Sequence, residues 1–228
     1  MADKKRTKKE SPVEKAQAAL SLKNPERICE ALRSLSVSSA PEALTIYLQA
    51  FESPFWMVRE LASILLSGTG DSGRKFIEHN LNELSPSQAY WCVKALEAYR
   101  QDGLGLIIRF LKAEDKEVRR VAIEAIAKLD LEQVLSPLIE RLDDPVWTNR
   151  EAAAAVLEEK ASTLPVLDKI SKAVKTGNEN VRYWILRIIS RLIGSDGSNP
   201  VHKFLQDNSV KTRCAALSAM GNMVDQAS

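Results

Sequence analysis

Apolar residues recur along most of the chain with the spacing of one-sided helices. In residues 131–157, LEQVLSPLIERLDDPVWTNREAAAAVL, Val134, Leu135, Leu138, Ile139 and Leu142 fall at i, i+1, i+4, i+5 and i+8, the stripe of a helix packed on one face. Asp143, Asp144 and Pro145 break that helix. A second begins near Thr148 or Asn149, and its Ala152–Ala155 run leaves room for another helix to approach closely. A hairpin of this kind, about thirty residues long, is too small to bury its own apolar faces. The pattern recurs: with Arg150 as anchor, equivalent positions fall at Arg59, Ala89, Arg119, Arg182 and Arg213, and the successive spacings are 30, 30, 31, 32 and 31 residues. Two, three and seven residues after each anchor, all eighteen positions are apolar or Cys, from Leu61, Ala62 and Leu66 to Ala215, Ala216 and Met220. A period near 31 residues predicts an all-α chain, a right-handed α-solenoid of about six to seven helical hairpins.

In chain order, residues 1–11 are expected to form a disordered basic tail and residues 12–228 a single solenoid domain. Within that domain, 12–39 reads as an atypical N-terminal capping hairpin: Ala16, Ala19 and Leu20 stripe one helix, and Asn24-Pro25 opens a second with Ile28, Leu32 and Leu35. Gly68 to Gly73 is expected to be a flexible turn, and Ser85-Pro86 to start the helix bearing Tyr90, Trp91 and Leu96. The last repeat lacks an obvious polar capping helix, which predicts an apolar edge covered either by a partner or by a longer natural context.

Three features carry a family resemblance. They are a Pro inside or near the first helix (Pro137, with Pro165 and Pro200 as counterparts), an Asp-Pro turn, and an Arg six residues after the Asp. With these, residues 40–223 resemble the HEAT-repeat superfamily, in particular its short-repeat, phycobilin lyase-like type. The resemblance implies a ladder of Asp and Arg tying consecutive repeats together. Asp144 with Arg150 and Asp207 with Arg213 keep the family spacing, and Arg59, Arg119 and Arg182 occupy the other anchors. Ser53 stands in for the Asp before Arg59, Asp115 is displaced by two before Arg119, and Ala89 replaces the Arg altogether. The resemblance also implies that the second helices line a concave surface.

Helical geometry assigns the positions one, five and eight after each anchor to the side opposite the core. These eighteen positions hold five carboxylates and three basic residues, unlike a track for a phosphate backbone, which needs clustered Lys and Arg. A mixed polar face with aromatic anchors suits a protein partner. The expected binding residues are Tyr90, Lys94, Glu97, Arg120, Glu124, Glu151, Tyr183 and Arg187. Trp91 and Trp184 fall in the core phase. Trp56 and Trp147, in the matching motifs SPFWMVR and DPVWTNR, are expected to cover the seam between repeats, or to bind at an edge if they face solvent.

Charge and composition narrow the function further. The net charge of +2 conceals a local +3 in residues 1–10, so the body is essentially neutral; residues 168–191, with Lys169, Lys172, Lys175, Arg182, Arg187 and Arg191 against Asp168 and Glu179, form a local +4 and the best site for an anionic contact. Cys29, Cys92 and Cys214 are odd in number and widely spaced, which argues for a reducing compartment and against a zinc site. With no apolar run of membrane-spanning length and no signal-peptide core, a cytoplasmic location is expected. His79 and His202 are followed by Asn80 and Lys203, not by Glu, and no phosphate loop or nucleophile elbow is present. The expectation is therefore a non-enzymatic scaffold or adaptor without metal or cofactor. Two alternatives stand beside it. One is a DNA glycosylase-like protein using Trp147, Tyr183 and Trp184, with nucleic acid disfavoured by the acidic groove; the other is a phycobilin lyase-like or phycobilisome-associated role with Cys214 as its thiol.

Overall fold

The computed structural model describes residues 10–129, 131–160, 170, 172–175, 177–192 and 200–225. Most of the expected basic tail, Pro165, Asp168, Lys169 and most of the GSDGSNP segment lie outside these residues. Among the described residues every regular element is helical, and the chain is all-α. The helices gather into two compact units, Met1–Phe110 and Leu111–Ser228.

The first unit contains α1 (Pro12–Ala19), α2 (Pro25–Ser34), α3 (Pro41–Ala50), α4 (Trp56–Gly68), α5 (Asp71–Asn80), α6 (Pro86–Leu96) and α7 (Leu104–Phe110). Four of these begin with Pro at the first helical position, where its fixed φ suits the helix and its missing N–H costs nothing. Ser11 belongs to the fold and not to the tail: its hydroxyl accepts from the Glu14 N–H (3.2 Å) and its own N–H donates to the Glu14 carboxylate (2.8 Å). Ser85 and Gln88 repeat this capping box at α6. The second helices α2, α4 and α6 pack in series, while α1 and α3 pack against each other and against their own partners. The α1–α2 hairpin thus packs against α3 and α4, and Leu32, Tyr47 and Phe51 are 0% exposed.

The stretch expected to be a six-residue flexible turn is only two residues long, because α4 runs to Gly68 and α5 starts at Asp71. Gly70 takes φ 63°, which its lack of a Cβ allows. Gly73 is already helical and buried, and a Cβ there would lie 2.7 Å from the Leu66 carbonyl and 2.8 Å from the Tyr99 hydroxyl. Glycine content signalled close packing here, not flexibility.

In the second unit lie α8 (Lys116–Ile126), α9 (Leu131–Arg141), α10 (Trp147–Lys160), α11 (Glu179–Leu192) and α12 (Val210–Asp225). A 3-10 segment, Pro200–Gln206, replaces the first helix of the last hairpin and packs on α12. Pro137 sits inside α9. The helices α8, α10, α11 and α12 again pack in series. Both units thus use one register: the residues three after each anchor, Ala62, Cys92, Ala122, Ala153, Ile185 and Ala216, are all 0% exposed. Leu66, Leu96, Ile126 and Leu157, seven after their anchors, are equally buried, each worth roughly 1.5–3 kcal/mol in apolar surface removed from water. This is the α-solenoid arrangement, in which each hairpin completes its neighbour's core.

Candidate binding face

The same register aims a second set of side chains away from the core. Of the positions one, five and eight after each anchor, Glu60, Ile64, Arg120, Glu124, Glu151 and Cys214 are exposed, while Tyr90, Lys94, Glu97, Tyr183 and Arg187 are half-buried; only Ser190 is buried. Several of the charges neutralise one another along a helix. Lys94 pairs with Glu97 (2.8 Å) and Arg120 with Glu124 (3.1 Å), while Arg191 reaches across one repeat to Glu158 (2.7 Å).

The anchor arginines divide into two kinds. Arg119 is buried and forms a bidentate pair with Asp144: Nε donates to one carboxylate oxygen (2.7 Å) and Nη2 to the other (3.1 Å), while Nη1 donates to the Ala113 and Glu114 carbonyls. Arg182 stands 3.2 Å from Asp207 and donates to the Gly177 carbonyl (2.8 Å). The ladder therefore joins each Asp to the Arg of the preceding repeat. Arg150 and Arg213, expected beside Asp144 and Asp207, instead donate to main-chain carbonyls of the turn, those of Asp144 and Pro145 and of Asp207 and Asn208. A planar fork with five donors can serve a turn and a carboxylate together. The separation that decides pairing is 25 residues. Counted that way, the residue 25 positions after Arg59 is Leu84 and that after Arg150 is Lys175, neither of them a carboxylate.

Without that carboxylate, Arg59 and Arg150 lie against aromatic rings. Arg150 is 5.5 Å from the Trp147 ring and Arg59 is 5.7 Å from that of Trp91. In the second unit the rings form a cluster: Trp147 to Trp184 is 4.7 Å, Trp147 to Tyr183 is 6.3 Å, and Tyr183 meets Trp184 edge-on at 5.5 Å. Arg187 adds a second cation, 5.1 Å from Trp184 and 5.8 Å from Tyr183, and Lys211 a third, 5.1 Å from Tyr183. The first unit repeats the layout in part, with Tyr90 edge-on to Trp91 at 5.4 Å and Trp91 stacked 6.5 Å from Phe51.

Trp184 is 3% exposed, as its core phase predicts, whereas Trp91 is only half-buried. Trp56 and Trp147 are 63% and 42% exposed, and Trp147 at the same time lies across the boundary between repeats, against Tyr183 and Trp184 of the next one. Lys211, two residues before its anchor, lay outside the three phases used to find the face. Its signal was its place opposite the Tyr-Trp pair of the preceding repeat. Between α11 and α12 the surface dips into a recess of about 370 Å³ lined by Tyr183, Arg187, Arg191, Cys214 and Ser218 among others.

The thiols differ sharply. Burial pushes Cys92 far up and Cys29 up, whereas Cys214 is exposed. Both histidines are exposed. Among the described residues no group of three or more His, Cys, Asp or Glu could hold a metal ion, and no helix is long and apolar enough to cross a membrane.

Comparison with known proteins gives a family for part of the chain. No curated protein matches. Among solved structures, the chain is similar to a designed armadillo repeat protein at 16% identity and a TM-score of 0.39, covering 93% of this chain and 100% of that one. A second designed armadillo repeat protein, in complex with the peptide (KR)4, is 16% identical with a TM-score of 0.35 and covers 94% and 100%. A crystal structure of an engineered protein is again 16% identical, at a TM-score of 0.32 over 95% and 98%. The family model of HEAT repeats matches residues 73–158, and the same period continues in the sequence on both sides of that segment.

Proposed function

We propose that this protein is a non-enzymatic HEAT-repeat scaffold that binds a protein partner through the exposed side of its second helices. The observation that carries the proposal is the aromatic cluster of Trp147, Tyr183 and Trp184, one ring buried as a base and two reaching the surface. Large, rigid rings beside Arg are the composition of interface hot spots. The charge pattern supports a protein over a nucleic acid, because exposed Glu60, Glu124 and Glu151 interrupt any continuous positive track.

The test is affinity capture with and without nuclease, followed by titration of the purified partner against wild type, Tyr183→Ala and Tyr90→Ala. A hot-spot aromatic is worth about 2 kcal/mol, roughly thirtyfold in Kd. Binding should survive nuclease and weaken by that order in at least the Tyr183 variant, with the melting temperature little changed. Unchanged affinity in both variants, or capture that nuclease abolishes, would sink the proposal.

A further inference from the structure

The cations around Tyr183 are not balanced as the others on this face are. Arg187 Nη1 donates to the Tyr183 hydroxyl (3.2 Å), and Lys211 Nζ donates to Asn180 Oδ1 (2.8 Å) while standing 5.1 Å from the Tyr183 ring. Among the described residues neither has a carboxylate within ion-pair distance, although Lys94 and Arg120, at related positions, each have one. The positions equivalent to Arg187 in the repeats before and after it are Ala155 and Ser218, neither of them acidic, and Glu158 of the preceding repeat is taken up by Arg191. Two like charges 5.8 and 5.1 Å from one ring centroid repel each other, and an anion bound beside them relieves that repulsion while satisfying guanidinium donors of Arg187.

We infer that the surface around Tyr183, where Arg187 lines the α11–α12 recess and Lys211 stands over the same ring outside it, takes a carboxylate side chain from an acidic segment of the protein partner, held by Arg187 and Lys211, with an apolar neighbour of that segment lying on Trp147. The inference rests on the protein-binding function proposed above and adds the chemistry of the partner. Charge complementarity favours a short acidic segment over a polyanion. Arg191 at the recess is already tied to Glu158, and exposed Glu151 would repel a continuous phosphate backbone. A recess of about 370 Å³ accommodates one or two side chains.

The experiment is selection of a displayed random twelve-residue peptide library on the full chain, followed by fluorescence anisotropy of a labelled selected peptide. Wild type, Arg187→Gln and Lys211→Gln are compared, each checked by thermal melting, with a single-stranded oligonucleotide as competitor. Selected peptides should be enriched in Asp and Glu next to an apolar residue, and each substitution should weaken binding about tenfold. Because Lys211 is a surface side chain, its variant keeps the test valid should Arg187→Gln unfold the chain. Acidic peptides that bind both variants as well as wild type, or an oligonucleotide that binds this site more tightly than the peptide, would overturn the inference. Selected peptides without acidic enrichment, dependent on Tyr183, would overturn it and leave protein binding standing; recovery of no peptide would count against both.

Discussion

The carboxylate of Asp144 meets Arg119 on both oxygens and also accepts from the Val146 N–H (2.9 Å). Burial alone would raise its pKa, but the hydrogen bonds from Arg119 and Val146 prevail and hold it below the ordinary carboxylate value. A lowered folded pKa means stability that is fully present above the unfolded aspartate value of about 3.9 and is lost as the pH falls through the folded value. Asp144→Ala should therefore cost about 3–5 kcal/mol at pH 7, by leaving Arg119 charged and buried, and the gap between variant and wild type in urea unfolding should narrow once the pH falls below about 3.9. At the thiols, alkylation of the native protein should label Cys214 rapidly and spare Cys92 and Cys29 until denaturant is added. The arginines were legible as a class but not in their partners. A spacing of six residues catches the eye in sequence, whereas the 25-residue separation spans a helix and two turns and shows itself only when hairpins stack.

Helix boundaries followed from Pro and capping residues acting within one turn of chain, which is why Asn24-Pro25 and Ser85-Pro86 could be read directly; Ser11, expected in the basic tail, caps α1 because Glu14 three residues on completes its capping box. The turn at Gly68–Gly73 resisted, since glycine marks mobility and close approach alike and only the presence of Tyr99 separates them. Gly73→Ala should destabilise by about 1–3 kcal/mol in thermal or chemical unfolding, through overpacking against Leu66 and Tyr99. Gly105→Ala is the counterpart: it lies in α7 with nothing within 4 Å of the new methyl and should stabilise by about 0.4–1 kcal/mol. Equal effects of the two would refute the distinction.

At the scale of the molecule, the 31-residue period was legible because each anchor helix repeats the same burial at every turn of the stack. Exposure of Trp56 and Trp147 was not, since a ring three residues before an anchor can fold either way across a turn whose course depends on its neighbours. The ladder gives the period a further meaning. Both repeats that carry an Arg-to-Asp pair, from Arg119 to Arg150 and from Arg182 to Arg213, span 31 residues, whereas those without one span 30, 30 and 32. The pair works as a ruler. One residue inserted between Arg119 and Asp144 should cost as much as losing the carboxylate, and one inserted between Arg150 and Arg182 should cost far less, as unfolding midpoints would record. Length variation over the history of such a chain would then be confined to the unruled repeats, and those are where new loops could be tried without loosening the stack.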